Sequence, residues 1–82
     1  MYSIFFTELA RKQLLKLPKD LQKRVGYALE RIKIRPESYV SKLVGETSYK
    51  LRVGDYRVIM DIQREKLLIL VLKIGHRKNI YN

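Results

Sequence analysis

In the second half of the chain the cations follow a pattern that strands would organise. Tyr49, Leu51 and Val53 alternate with Lys50 and Arg52, while Tyr56, Val58, Met60 and Ile62 alternate with Arg57, Ile59 and Asp61. A period of two marks two strands, and Gly54-Asp55 between them suits a two-residue type II′ turn. That register sets Arg52 opposite Arg57 and Lys50 opposite Ile59, with the apolar pairs on the other face. Like charges directly across a sheet repel, so an anion belongs between them unless the arginines splay into water. Beyond the next apolar run come Lys73, Gly75, His76, Arg77, Lys78 and Tyr81. Gly75 is expected to turn the chain sharply and aim His76 and Arg77 back at the basic face. Cations with an aromatic ring at the rim are what single-stranded RNA binding requires: the charges take phosphates and the ring stacks on a base. The plainer alternatives are a Tyr81 that packs down a frayed end and a surface His76 without a role.

The elements that must position these residues are legible along the chain. Tyr2, Ile4 and Phe6 alternate with Ser3 and Phe5 as a short first strand. Thr7 stands at an N-cap position, with Glu8 in the first turn of a helix. That helix should carry Leu9, Leu14 and Leu17 on one face and end at Pro18. A second helix opens at Lys19-Asp20 and presents Leu21, Val25, Ala28, Leu29 and Ile32. Arg35-Pro36 breaks it, because the residue before proline is pushed out of the α region. Residues 37–47 read as a connector containing Gly45, Gln63 to Lys66 as a polar turn, and Leu67 to Ile74 as a central strand apolar on both sides. The expected fold class is α+β in the order β-α-α-β-β-β: an N-terminal strand, then an α-helical hairpin packed on a mostly antiparallel β-sheet, in a single domain spanning 1–82.

Composition narrows the chemistry. The 82 residues include 18 Lys plus Arg against 8 Asp plus Glu, a net charge of +10. The excess is shared: residues 1–49 hold ten basic and five acidic side chains, and residues 50–82 hold eight and three. A charge of that size favours a polyanionic or acidic partner. The absence of cysteine excludes disulfides, zinc ribbons, Fe–S clusters and thiol nucleophiles, and implies a reducing compartment. A single histidine cannot make a two-histidine metal site, so no metal or cofactor is expected. No apolar stretch approaches the roughly 20 residues that span a bilayer, and Met1 leads into no signal-peptide pattern. A soluble, cytoplasmic protein is the expectation.

The run Tyr49-Lys50-Leu51-Arg52-Val53-Gly54-Asp55-Tyr56-Arg57-Val58-Ile59, with Gly75-His76-Arg77, Ile80-Tyr81 and the helical Leu14-Leu15-Lys16-Leu17-Pro18, resembles the RelE/ParE toxin superfamily, and its RelE-like branch in particular. The resemblance covers essentially the whole chain. It implies the toxin of a type II toxin–antitoxin pair: a ribosome-dependent, metal-independent endoribonuclease, or mRNA interferase, that cuts messenger RNA in the ribosomal A site and inhibits translation. An acidic RelB-like antitoxin would hold it in a hetero-oligomer, with ribosome and mRNA as its other partners and no membrane. The ParE branch shares the fold but inhibits DNA gyrase, and a non-catalytic RNA- or ribosome-binding module is a further alternative.

By the same resemblance, Lys50 acts as base or charge stabiliser, Arg57 stabilises the scissile phosphate, and Arg77 serves the leaving group or transition-state charge. Tyr81 stacks on a base, while Arg52, Lys73 and Lys78 would bind RNA phosphates. His76, whose unperturbed pKa of about 6.5 suits proton transfer, rivals Arg77 as the acid. Attack of a ribose 2′-hydroxyl on the adjacent phosphate needs such a base, charge stabiliser and acid, and no metal. The chain departs from the best-known bacterial members at Ser48, where they carry a second lysine two residues before Lys50, and in its shorter tail.

Overall fold

The computed structural model describes residues 1–76; Arg77, Lys78 and Tyr81 lie outside them. Strand β1 (Ser3–Phe6) leads through Thr7 into helix α1 (Glu8–Leu15), followed by α2 (Lys19–Ile32) and a single 3-10 turn at Pro36–Ser38. Strands β2 (Ser41–Lys42), β3 (Tyr49–Val53), β4 (Tyr56–Gln63) and β5 (Leu68–His76) complete one five-stranded sheet in the order β1-β5-β4-β3-β2. The fold is α+β, as the alternation of helix and strand periods implies. The pairings are antiparallel except for β1 with β5, which run parallel, Ser3 beside Leu68 and Phe6 beside Val71.

Each element has a local cause. The Thr7 hydroxyl accepts from the Ala10 amide at 3.0 Å, capping α1. Pro18 sits at the N-cap of α2, where its missing N–H costs nothing. Helix α2 buries the five apolar residues expected of it, Leu21, Val25, Ala28, Leu29 and Ile32. They meet Leu51, Val53, Val58, Met60, Ile69, Val71 and Ile74 of the sheet in one core. Because burial at about 25 cal/mol per Å² is the main stabilising term, this one-sided core sets which sheet face turns away from the helices.

Several expectations are corrected. In α1 the buried residue is Ala10, while Leu9 is 53% exposed; Leu14 and Leu17 do pack on the core. The connector after Pro36 contains the 3-10 turn and the two-residue strand β2, which pairs with Tyr49 and Lys50. Leu67 belongs to the turn rather than the strand, in a left-handed conformation with φ of 52°. No helix among the described residues is long and apolar enough to cross a membrane.

Candidate nucleic-acid interface

Gly54 adopts a φ of +60°, whereas Asp55 does not enter the positive-φ region, and so the β3–β4 loop is the type II′ turn that the sequence implies. The register follows: Val53 faces Tyr56, Arg52 faces Arg57, Leu51 faces Val58 and Lys50 faces Ile59. Strand β5 extends these pairs across a third strand, with Lys73 beside Ile59 and Gly75 beside Arg57. Two adjacent rungs result on the face turned away from the helices. One carries Lys50, Ile59 and Lys73, the other Arg52, Arg57 and Gly75. With strands about 4.8 Å apart, the four cations fall within a patch about 10 Å wide.

The environment of each cation differs. Arg52 is exposed and reaches back to the Gly54 carbonyl at 3.5 Å, while Lys50, Lys73 and Arg57 are half-buried. The Nε of Arg57 is shielded from solvent, and its neighbour across the ladder is a glycine with no side chain to compete for space. Ile59 is only 5% exposed although it lies outside the helix-side core, so it forms an apolar floor between the two lysines. Amphipathic lysine stems suit such a floor, since their methylenes cover apolar surface while the ammonium stays at the rim.

On its far side the patch ends at a carboxylate. The Ser48 hydroxyl donates to Oδ1 of Asp61 at 3.2 Å. The position at which the sequence departs from the superfamily's lysine pair is thus occupied by a neutral hydroxyl hydrogen-bonded to an anion. Further out, Arg64 donates to the Tyr49 hydroxyl at 3.4 Å, and that hydrogen bond raises the affinity of its guanidinium for its proton.

Strand β5 reaches the basic face through a bulge. Ile59 pairs with Lys73 and Met60 with Val71, which leaves Leu72 without a partner in β4. Strict alternation from the buried Val71 would turn Lys73 inward; the extra residue lets Ile74 return to the core and keeps Lys73 outside. Helix α1 holds the bulge at two points. The Thr7 hydroxyl donates to the Leu72 carbonyl at 2.7 Å, and the Gln13 side-chain oxygen accepts from the Ile74 amide at 2.6 Å. Sequence reasoning found Thr7 only as a cap and missed Gln13. No local signal marks the bulge, because residues 68–72 are apolar at every position and offer no alternation for it to interrupt.

Of the residues expected at the site, Lys50, Arg52, Arg57 and Lys73 come together. His76 does not join them. The anticipated turn at Gly75 is absent: β5 runs on through His76, whose ring packs edge-on against Tyr56 at a centroid distance of 5.4 Å and an interplanar angle of 80°. Tyr56 is its ladder partner and packs on the helix-side core, so His76 shares that face and not Arg57's. The expected Arg77, Lys78 and Tyr81 fall outside the described residues. No group of three or more His, Asp or Glu among the described residues is placed to hold a metal ion.

Comparison with known proteins places this architecture. The family model described as the ParE toxin of type II toxin–antitoxin systems matches residues 4–81. A search of curated protein sequences finds no match. Among solved structures, the RelBE2 toxin–antitoxin complex of Mycobacterium tuberculosis matches with a TM-score of 0.83 and 29% identity, over 93% of this chain and 98% of the other. The archaeal RelE–RelB complex of Pyrococcus horikoshii matches with a TM-score of 0.81 and 29% identity, over 95% and 97%. The isolated E. coli RelE toxin matches with a TM-score of 0.81 and 26% identity, over 93% and 84%. With a family match over nearly its whole length and this fold, the chain belongs to the ParE toxin family of type II toxin–antitoxin systems, in the RelE-like branch of the RelE/ParE superfamily.

Proposed function

We propose that the protein is a ribosome-dependent endoribonuclease toxin that cleaves messenger RNA by attack of a ribose 2′-hydroxyl on the adjacent phosphate. The observation that carries this reading is the pair of rungs on the outer face, which gathers Lys50, Lys73, Arg52 and Arg57 over an apolar floor. Arg57, held in a half-buried position beside Gly75, would stabilise charge on the scissile phosphate. Lys50, one rung away, would take the 2′-hydroxyl proton, and Lys73 and Arg52 would hold the flanking phosphates. As the P–O5′ bond breaks, Arg77 would serve the departing 5′-oxygen or the transition-state charge and Tyr81 would stack on a base, as the superfamily pattern implies, while Lys78 would continue the phosphate contacts. The register counts against His76 as the proton donor, since its ring lies on the opposite face of β5. With so few catalytic groups, much of the rate must come from positioning the strand, which the ribosome would supply.

An acidic antitoxin in the cytoplasm would hold the toxin in a hetero-oligomer, the arrangement of the RelBE and RelE–RelB complexes it is similar to. Its affinity would fall with salt only in part, because apolar contacts survive screening. The decisive experiment adds the purified chain to translating ribosomes and maps the new mRNA ends. Cleavage with a 2′,3′-cyclic phosphate or 3′-phosphate is expected; a 3′-hydroxyl at the cut would refute the mechanism. The ParE description of the matching family model favours one other reading, a gyrase inhibitor. Loss of supercoiling activity in a gyrase assay, with mRNA left intact, would establish it.

A further inference from the structure

The basic surface does not stop at the edge of the sheet. Strand β2 pairs only with Tyr49 and Lys50, so Leu51 to Val53 of β3 face no strand on that side among the described residues. A groove of about 270 Å³ runs between this open edge and α2, lined by Arg24, Tyr27, Ala28, Arg31, Arg52, Val53 and Gly54. Arg24, Tyr27 and Arg31 stand at i, i+3 and i+7, which is one stripe along a helix, its ends about 10 Å apart at a rise of ~1.5 Å per residue. All three are exposed, and Tyr27 is 65% accessible.

Two guanidinium groups converge on Gly54. Arg52 Nε is 3.5 Å from its carbonyl, and an Arg24 terminal nitrogen lies 3.2 Å from where a Cβ of residue 54 would stand. Among the described residues, none of Arg24, Arg31 and Arg52 forms an ion pair; the ion pairs found join Glu8 to Arg11 and Lys12, and Glu30 to Lys33. No carboxylate lines the groove. Cations drawn together without a counter-charge cost the folded chain self-repulsion, which an anion would relieve.

We propose that this groove is a second phosphate track, in which Arg24, Arg31 and Arg52 take the sugar–phosphate backbone of RNA and Tyr27 stacks on a base. Arg52 belongs to both surfaces, because its ladder partner is Arg57. A strand crossing the outer face therefore passes Arg52, rounds the open edge of β3 and reaches α2. The inference rests on reading that face as RNA-binding. Between two arginine forks the groove offers the exposed Tyr27 ring, while its aliphatic lining, Ala28 and Val53, is nearly buried and presents no cavity for a large apolar anchor. Those features suit phosphates flanking a base better than an acidic peptide, whose docking depends on buried apolar anchors.

The test measures binding of a fluorescein-labelled single-stranded RNA to the full chain between 50 and 200 mM salt, beside the Arg24→Gln/Arg31→Gln double variant. Two lost phosphate contacts should lower the slope of log affinity against log salt by about 1.4. The Arg24→Lys/Arg31→Lys variant should keep the slope, and Tyr27→Ser should weaken binding without changing it. Circular dichroism on each variant checks folding. An unchanged slope in the glutamine variant, or no binding by the unmodified chain, overturns the proposal. So does a glutamine variant that keeps its RNA slope but loses binding to poly-L-glutamate, which would make the groove a protein site. Ribosomal cleavage assayed in parallel separates the two readings. If the unmodified chain leaves mRNA intact while the slope still falls, the nuclease reading fails and the groove stands.

Discussion

The two faces of the sheet are built by different rules. The helix-side face of β1, β3, β4 and β5 is apolar as far as Ile74, and burial fixes it: a residue that turned the wrong way would lose its contacts with the core. The outer face mixes lysine, arginine, isoleucine and aspartate, and its order depends on backbone geometry, namely one II′ turn and one bulge. Val58 and Ile59 show the contrast, being chain neighbours that are both nearly inaccessible yet lie on opposite sides. A face made by burial resists polar substitution, while a face made by register tolerates charge and depends on the devices that hold the register.

The sharpest break of this comparison is a lysine at each of those two positions. Val58→Lys places an unpaired ammonium in the core and should cost more than about 4 kcal/mol, enough to leave the chain largely unfolded by circular dichroism. Ile59→Lys lets the ammonium reach solvent beside Lys50 and Lys73. It should cost about 1.5–3 kcal/mol of lost burial and leave a cooperative melt. If both variants melt alike, the two faces do not differ as described.

Next in size, Arg57→Ala should lower the rate of mRNA cleavage on ribosomes by about 10²- to 10³-fold, the usual effect of losing a charge stabiliser. Its melting temperature should move little. A fall in stability large enough to explain the lost rate would make Arg57 structural instead.

Gln13→Ala tests the clamp. It strips the Ile74 amide of its acceptor and should cost about 1–3 kcal/mol in urea denaturation. Because the bulge keeps Lys73 outside, the variant should also bind RNA more weakly than its stability loss explains. RNA affinity equal to that of the unmodified chain would confine Gln13 to stability. Smallest is Leu67→Gly: it removes roughly 1–2 kcal/mol of left-handed strain but adds chain entropy to the unfolded state. The net gain should be a few tenths of a kcal/mol, read as a slightly higher urea midpoint, and a loss of stability would show that the Leu67 side chain contributes more than its strain costs.

What the sequence made legible follows the same division. The core stripe of α2, the inner-face residues of β3 and β4, and the register through Gly54-Asp55 were readable because each rests on a local period or a turn with a stereochemical requirement. The bulge at Leu72 was not, since Leu68 to Leu72 is apolar at every position and carries no alternation to interrupt. Nor were the Gln13 bond to Ile74, 61 residues away in sequence, or the placement of His76, because tertiary contacts set both. Glycine misled at Gly75, where the missing side chain serves the space beside Arg57 and not a turn. The burial of Ala10 in place of Leu9 shows how close packing of α1 on the sheet overrides hydrophobicity: at nearest approach a methyl fits.

The parallel pairing of β1 with β5 also sets when this molecule can fold. Ser3 and Leu68 are neighbours in the sheet but 65 positions apart in sequence, and closing a loop of that length costs about 4 kcal/mol of chain entropy before any contact repays it. The helical hairpin and the β3–β4 hairpin form from local contacts, yet the ladder that joins them is closed by β5, the last of the described strands. During synthesis Ile4 and Phe6 therefore wait unpaired while the intervening chain is added, at about 5–20 residues per second. The basic face, which needs β4 and β5 side by side, comes into being only after β5 has left the ribosome on which the toxin itself was made.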